Sequence, residues 1–177
     1  NLEKKLIKLK NLKVNIIECN DLNAEQACNK ATSFIDTKYS CFLADDDIIN
    51  PNFFKKAIDF LNNNPEYSGV TGNSFSFNTK KNSIFAKITD IGEYPVINEE
   101  NSNYHKRLKN YFLNNFASIF TITKTSYFSE TFKLICRLQP YHQRYMIGEQ
   151  VCAINYLYFG KIKKINETFL IRQYHNE

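Results

Sequence analysis

Tyr39-Ser40-Cys41-Phe42-Leu43-Ala44-Asp45-Asp46-Asp47, followed at once by Asn50-Pro51, is the stretch on which the reading of this sequence turns. The run from Tyr39 to Ala44 is almost continuously apolar, as suits a central parallel strand buried on both faces. Three carboxylates at the end of such a strand are costly. They repel one another, and each tends to protonate. A bound divalent cation removes both costs. Open α/β sheets bind ligands outside the carboxyl ends of their strands, which is where this triplet falls. An oxygen-only ligand set points to a hard cation, Mg²⁺ or Mn²⁺. Mg²⁺ is usually held by one or two carboxylates plus substrate phosphates, so a phosphorylated substrate is implied. The structural alternative is that the triplet caps the next helix. Asn50 already fills that position, with Pro51 at the first helical residue.

Outward from this stretch, strands and helices alternate. Leu2, Leu6 and Leu9 have helical spacing within Asn1 to Lys10. Val14 to Cys19 reads as a strand ending at Asn20-Asp21, and Ala24, Ala27, Cys28, Ala31 and Ile35 mark one face of a helix. Beyond the triplet, Phe54, Ala57, Ile58 and Leu61 give the apolar face of a helix that Asn62-Asn63-Asn64-Pro65 ends. Tyr67 to Phe77 reads as a strand, Lys80-Lys81-Asn82 as a turn, and Ser83 to Ile88 as a strand pairing back. Ile91 to Asn103 reads as an irregular loop, Tyr104 to Asn115 as a basic helix, and Ser118 to Thr123 as a strand. Ser126 to Leu134 and Glu149 to Phe159 read as helices, Lys164 to Tyr174 as a closing strand, and Leu138 to Met146 carries no clear pattern. The alternation predicts one α/β domain over 1–177, with a mostly parallel sheet flanked by helices. Such a sheet would begin with a strand, so an N-terminal strand is expected to be missing from the chain.

At 177 residues, with 43% hydrophobic and 23% charged residues, the composition is that of a globular protein with a sizeable core. The net charge of +5 suits an anionic ligand or surface. The lysines are spread out, however, and each cluster taken alone also reads as a solvated face. Five cysteines without a CxxC indicate neither a disulfide framework nor a zinc knuckle, which favours a reducing compartment. No apolar run reaches the length of a membrane span and no signal peptide is visible, so a cytoplasmic setting is expected. Asn166-Glu167-Thr168 fits the glycosylation sequon, which an Asn-rich chain produces by chance.

The stretch Thr37 to Asp47, with Pro51, Phe53 and Phe60-Leu61 after it, resembles the DXD region of GT-A glycosyltransferases, most closely bacterial family-2-like enzymes. Pro65-Glu66-Tyr67 leading to Gly69 and Gly72-Asn73 looks like their next strand. Gly148-Glu149-Gln150, Gly160-Lys161 and Leu170-Ile171-Arg172-Gln173-Tyr174-His175 are similar to later motifs of that family. The resemblance implies a GT-A fold and transfer of a sugar from a nucleotide-diphosphate donor to a glycan, lipid-linked or protein acceptor. Asp45 and Asp47 match the DXD carboxylates that hold the metal, and His175 matches a C-terminal histidine that completes the site. Asp46 falls near the ribose or the metal, and Asn20 and Asp21 fall where the base is contacted. Arg172 falls where the diphosphate is paired. Glu149 falls where a general base meets the acceptor hydroxyl; acting alone opposite the leaving group, it implies inversion. The family's usual acidic pair is reduced here to Gly-Glu-Gln.

Each of these residues also has a plainer reading. Glu149 suits a helix N-terminus through the dipole. Arg172 suits an ordinary strand, and His175 an exposed position near the end of the chain. The basic, aromatic helix around Tyr104 to Phe112 suits an anionic membrane face, a lipid-linked acceptor, a nucleic-acid patch or a simple cover for the sheet. Two other functions remain open: a non-catalytic nucleotide- or glycan-binding domain on the same fold, and a sugar-phosphate nucleotidyltransferase. The second would want a Gly-rich phosphate loop, which is not seen. A nucleic-acid-binding role sits badly with an acidic triplet that repels phosphate unless a metal is bound.

Overall fold

A computed structural model describes residues 13–80, 87–114, 116–138 and 145–174. Their elements are α1 (Ala24–Thr32), β1 (Tyr39–Ser40), β2 (Ile48–Ile49), α2 (Pro51–Asn63), β3 (Tyr67–Thr79) and β4 (Ile88–Tyr94). There follow α3 (Tyr104–Asn114), β5 (Ile122–Lys124), α4 (Thr125–Leu138), α5 (Tyr145–Phe159) and β6 (Lys161–Tyr174). This is an α/β fold with one mixed sheet of order β1-β5-β3-β6-β2, on which β4 pairs with β3.

The spine of the sheet is the parallel pairing of β3 with β6. The β1–β5, β5–β3, β3–β4 and β2–β6 pairings are antiparallel, so the sheet is less parallel than the sequence pattern suggests. The reason is local. β4 returns directly from β3 as a hairpin arm, and β2 is a two-residue strand that runs straight into α2. Helix α2 starts as read, with Pro51 at its first position and the Asn50 side chain accepting from Asn52 N at 3.1 Å. It buries Phe53, Ala57 and Leu61, spaced four apart, against β3 and β6. Ala57 and Leu61 are buried as read, whereas Phe54 and Ile58 of the expected face are half-buried and Phe53 is buried with the other two. Helices α1, α4 and α5 pack in succession, and α5 also touches β3 and β6. The buried apolar side chains form a contiguous cluster in which Phe53, Tyr156, Phe169, Val70 and Ile162 are fully buried.

Several expectations are corrected. Val14 to Cys19 forms no strand; its backbone lies beside α1, where Lys30 Nζ donates to Glu18 O at 2.8 Å. Only Tyr39 and Ser40 of the apolar run enter a ladder, and they do so at the sheet edge. The run is half-buried and Leu43 is exposed, because β5 offers only a short partner. Ile91 to Tyr94, read as loop, belong to β4. The helix read over Asn1 to Lys10, and most of Ser83 to Ile88, lie outside the described residues.

Gly72 lies where α2 and β6 close on β3. A Cβ there would stand 2.6 Å from Glu167 O, 2.7 Å from Phe169 Cβ and 2.7 Å from Phe53 Cε2. The register shifts beside it: Gly72 pairs with Ile165 and Asn73 with Thr168, so Asn166 and Glu167 bulge outward. Backbone and two core rings must all yield to one methyl group, so Gly72→Ala is expected to destabilise the fold by about 1–3 kcal/mol in urea denaturation.

Candidate active site

The β2–β6 ladder assembles the site. Ile48 faces Ile171 and Ile49 faces Leu170 across it, so Asp47, one residue earlier, is drawn beside Arg172. Asp45 and Asp46 occupy a tight turn in which Asp47 N donates to Ala44 O at 3.3 Å. The triplet is therefore graded by depth. Asp45 is exposed, Asp46 half-buried, and the Asp47 side chain fully buried.

Asp47 is poorly compensated. Arg172 Nε approaches its Oδ1 at 3.5 Å, which is an ion pair but a long one. Neither carboxylate oxygen makes a well-formed hydrogen bond to a side chain. Burial lifts the Asp47 carboxyl above the ordinary aspartate range and the charge of Asp46 adds to this, while Arg172 and the Gln173 amide oppose it. A buried carboxylate held so loosely fits a cation that would take over its lone pairs. Asp45, exposed on the same turn, is the second carboxylate within the triplet's reach. Among the described residues no cluster of three metal-binding side chains exists. A site of this kind would draw its remaining ligands from substrate phosphates and water, as Mg²⁺ sites do. His175 lies outside the described residues.

Arg172 is held rigidly. Its Nη1 donates to Tyr94 OH at 2.6 Å, and its guanidinium lies 4.9 Å from the Tyr94 ring and 4.7 Å from the Phe120 ring. Both distances are within cation–π reach. Burial works against its charge, but the fields of Tyr94 and Asp47 outweigh this and raise its pKa further. Burial likewise raises the Tyr94 phenol, against the pull of Arg172, so the phenol stays protonated at neutral pH.

Glu149 lies in the first turns of α5, half-buried. It lines a recess of about 220 Å³ with Tyr94, Pro95, Tyr111, Phe116, Ser118 and Tyr174. Tyr94 thus joins the two halves of the site, touching Arg172 on one side and sharing the recess with Glu149 on the other. Ser118 is buried in the wall of this recess, and its hydroxyl has no hydrogen-bond partner within the protein. Asn20 and Asp21 sit in an exposed turn just before α1. No contact among the described residues joins them to Asp47 or Arg172, although Ala24 and Glu25 share a small cavity wall with Glu149.

Asp45, Asp46, Asp47, Arg172 and Glu149 thus come together. Tyr94, Phe120 and Ser118 complete the group without having been singled out in the sequence. Tyr94 fell in a stretch read as an irregular loop, and Ser118 and Phe120 fell in one read simply as a strand.

The profile of the family described as Glycosyl transferase family 2 matches residues 2–137. The chain belongs to glycosyl transferase family 2. Membership brings with it the GT-A fold and glycosyl transfer from a nucleotide-sugar donor to an acceptor. The matched span takes in Asn20, Asp21 and the Asp triplet, whereas Glu149, Arg172 and His175 of this transferase lie beyond it. Comparison with individually curated proteins returns no match. Among the described residues of the transferase, no helix is long and apolar enough to cross a membrane.

The raised carboxyl of Asp47 has a thermodynamic consequence. The folded chain keeps this proton at pH values where the unfolded chain has released it. Its contribution to stability therefore falls as pH rises from the ordinary aspartate range through the raised folded value. Asp47→Asn removes the cost. It is expected to raise Tm of the metal-free protein at neutral pH, with the gain shrinking to nothing below about pH 4. Calorimetric melts across that pH range measure it.

Proposed function

We propose that the chain moves a sugar from a nucleotide-diphosphate donor to an acceptor hydroxyl, with inversion, in the synthesis of a surface polysaccharide or other glycan. The observation that carries this reading is the buried, loosely compensated carboxylate of Asp47 beside a rigid Arg172. Asp47 and Asp45 would hold a divalent cation, with His175 as a further ligand, and Asp46 would lie near the donor ribose. The cation supplies charge compensation for the leaving diphosphate when bound. Arg172 would pair with the diphosphate oxygens through its planar fork, pre-aligned by Tyr94 and Phe120. Asn20 and Asp21 would meet the base. Glu149 would take the proton of the acceptor hydroxyl, and the Tyr94 and Ser118 hydroxyls would orient the acceptor within the recess. A single base acting opposite the leaving group accounts for inversion.

Titration calorimetry with UDP and GDP, with and without Mn²⁺, tests the donor site. Wild type is expected to bind one of the two only with metal, and Asp47→Ala to abolish binding. Binding that is indifferent to both metal and Asp47 would remove the DXD reading.

Glu149→Gln separates donor binding from chemistry. It is expected to leave nucleotide affinity within about twofold while lowering kcat by about 10²–10⁴. Wild type that binds nucleotide but never transfers sugar would favour the binding-domain alternative.

A further inference from the structure

We propose that the outer face of α3 is a docking surface for an anionic lipid bilayer. Helix α3 has two unlike faces. Its inner face buries Arg107 and Tyr111. Arg107 Nε donates to Leu157 O at 2.8 Å, which fastens α3 to the C-terminal end of α5, and its Nη1 donates to Asn101 O at 2.8 Å and Ser102 O at 2.9 Å in the segment that leads into α3. The outer face carries Phe112 and Leu113, which are 66% and 72% exposed. At the other end of the helix, exposed Tyr104 meets exposed Tyr158 of α5 edge-on at 5.9 Å. Single large apolar side chains on a surface need no explanation. Three on one helix of 11 residues, with Tyr158 of α5 set against Tyr104, do.

Charge selects the occupant. Helix α3 contains exposed His105, Lys106 and Lys109 and no acidic residue. Lys109 stands three and four residues before Phe112 and Leu113, on the same side of the helix. Ammonium groups beside protruding apolar side chains suit a helix lying in the interfacial plane, with its lysines among anionic headgroups. Tyrosines favour the same depth. A second copy of this chain is a poorer fit, because a two-fold contact through α3 would set the lysines of one copy against those of the other. The docking rests on the surface alone. Its consequence rests on the transferase reading: Tyr111, on the inner face of the same helix, lines the recess with Glu149, so docking would hold that recess beside the bilayer and suit a lipid-linked acceptor.

Co-sedimentation of the whole chain with vesicles tests the proposal. Wild type is expected to pellet with phosphatidylcholine vesicles containing about one-third phosphatidylglycerol, and about tenfold more weakly with phosphatidylcholine alone. Phe112→Ser/Leu113→Ser should weaken binding to the anionic vesicles by about tenfold or more, and Lys106→Gln/Lys109→Gln should remove the preference for them. Circular dichroism melts check that these exposed substitutions leave the fold intact. Wild type that stays in the supernatant, or a serine variant that pellets like wild type, overturns the proposal. So does light scattering that finds a dimer which the serine variant dissociates. Calorimetry with UDP, GDP and Mn²⁺ on the serine variant keeps the two readings apart, because loss of docking leaves nucleotide binding as it is in wild type.

Discussion

The architecture depends on β6 having two partners. Along one edge it runs parallel with β3 for most of its length, and this pairing carries the core contacts of Val70, Ile162, Phe169 and Leu170. Along the other edge it bridges Glu99 through Ile162 near its start and pairs with Ile48 and Ile49 near its end. That short second ladder is small in area but decisive in position. It closes the turn of Asp45 and Asp46, orients Asn50 to cap α2, and brings the Asp47 carboxylate next to the Arg172 side chain. Without it, the acidic triplet would be a surface loop with no reason to be buried.

Burial gives this corner its chemistry. A carboxylate in water is indifferent to a guanidinium a few ångströms away, and surface pairs of this kind add little to stability. Taken out of water, Asp47 carries a desolvation cost that one long ion pair does not cover. The fold tolerates a strained electrostatic arrangement here, and such arrangements cluster at functional sites. Around it the molecule spends rigid aromatic residues. Tyr94 and Phe120, packed edge-to-face, both lie against the Arg172 guanidinium, and Tyr94 extends the same wall toward Glu149. One phenol thus links the Asp47–Arg172 pair to the recess that Glu149 lines. A change at Tyr94 would reach both sides at once.

The sequence was legible where local rules and burial agree. Asn50-Pro51 reads as a helix start and is one, because the cap hydrogen bond and the proline φ are both local. Tyr67 to Phe77 and Lys164 to Tyr174 read as strands because β-branched and aromatic residues recur at strand spacing, and they lie within the two longest strands. It was misleading where a strand needs a partner that local pattern does not supply. Val14 to Cys19 is apolar enough for a strand but meets no free edge among the described residues. Tyr39 to Ala44 looks like a doubly buried strand, yet β5 pairs with only its first two residues. Tyr94 was hidden because its role is to receive a hydrogen bond from Arg172, 78 positions away.

The sequence by itself therefore determined the fold class and the family, and it singled out the acidic triplet: these are written in spacing, caps and consecutive residues, which no folding is needed to see. Tertiary structure alone decided which of the three aspartates is buried, that Arg172 is its partner, and that Tyr94, Phe120, Ser118 and Glu149 stand around them. The physical reason is that depth and pairing arise from strand register between segments distant in the chain. A two-residue ladder sets that register here, and no pattern within either segment specifies it.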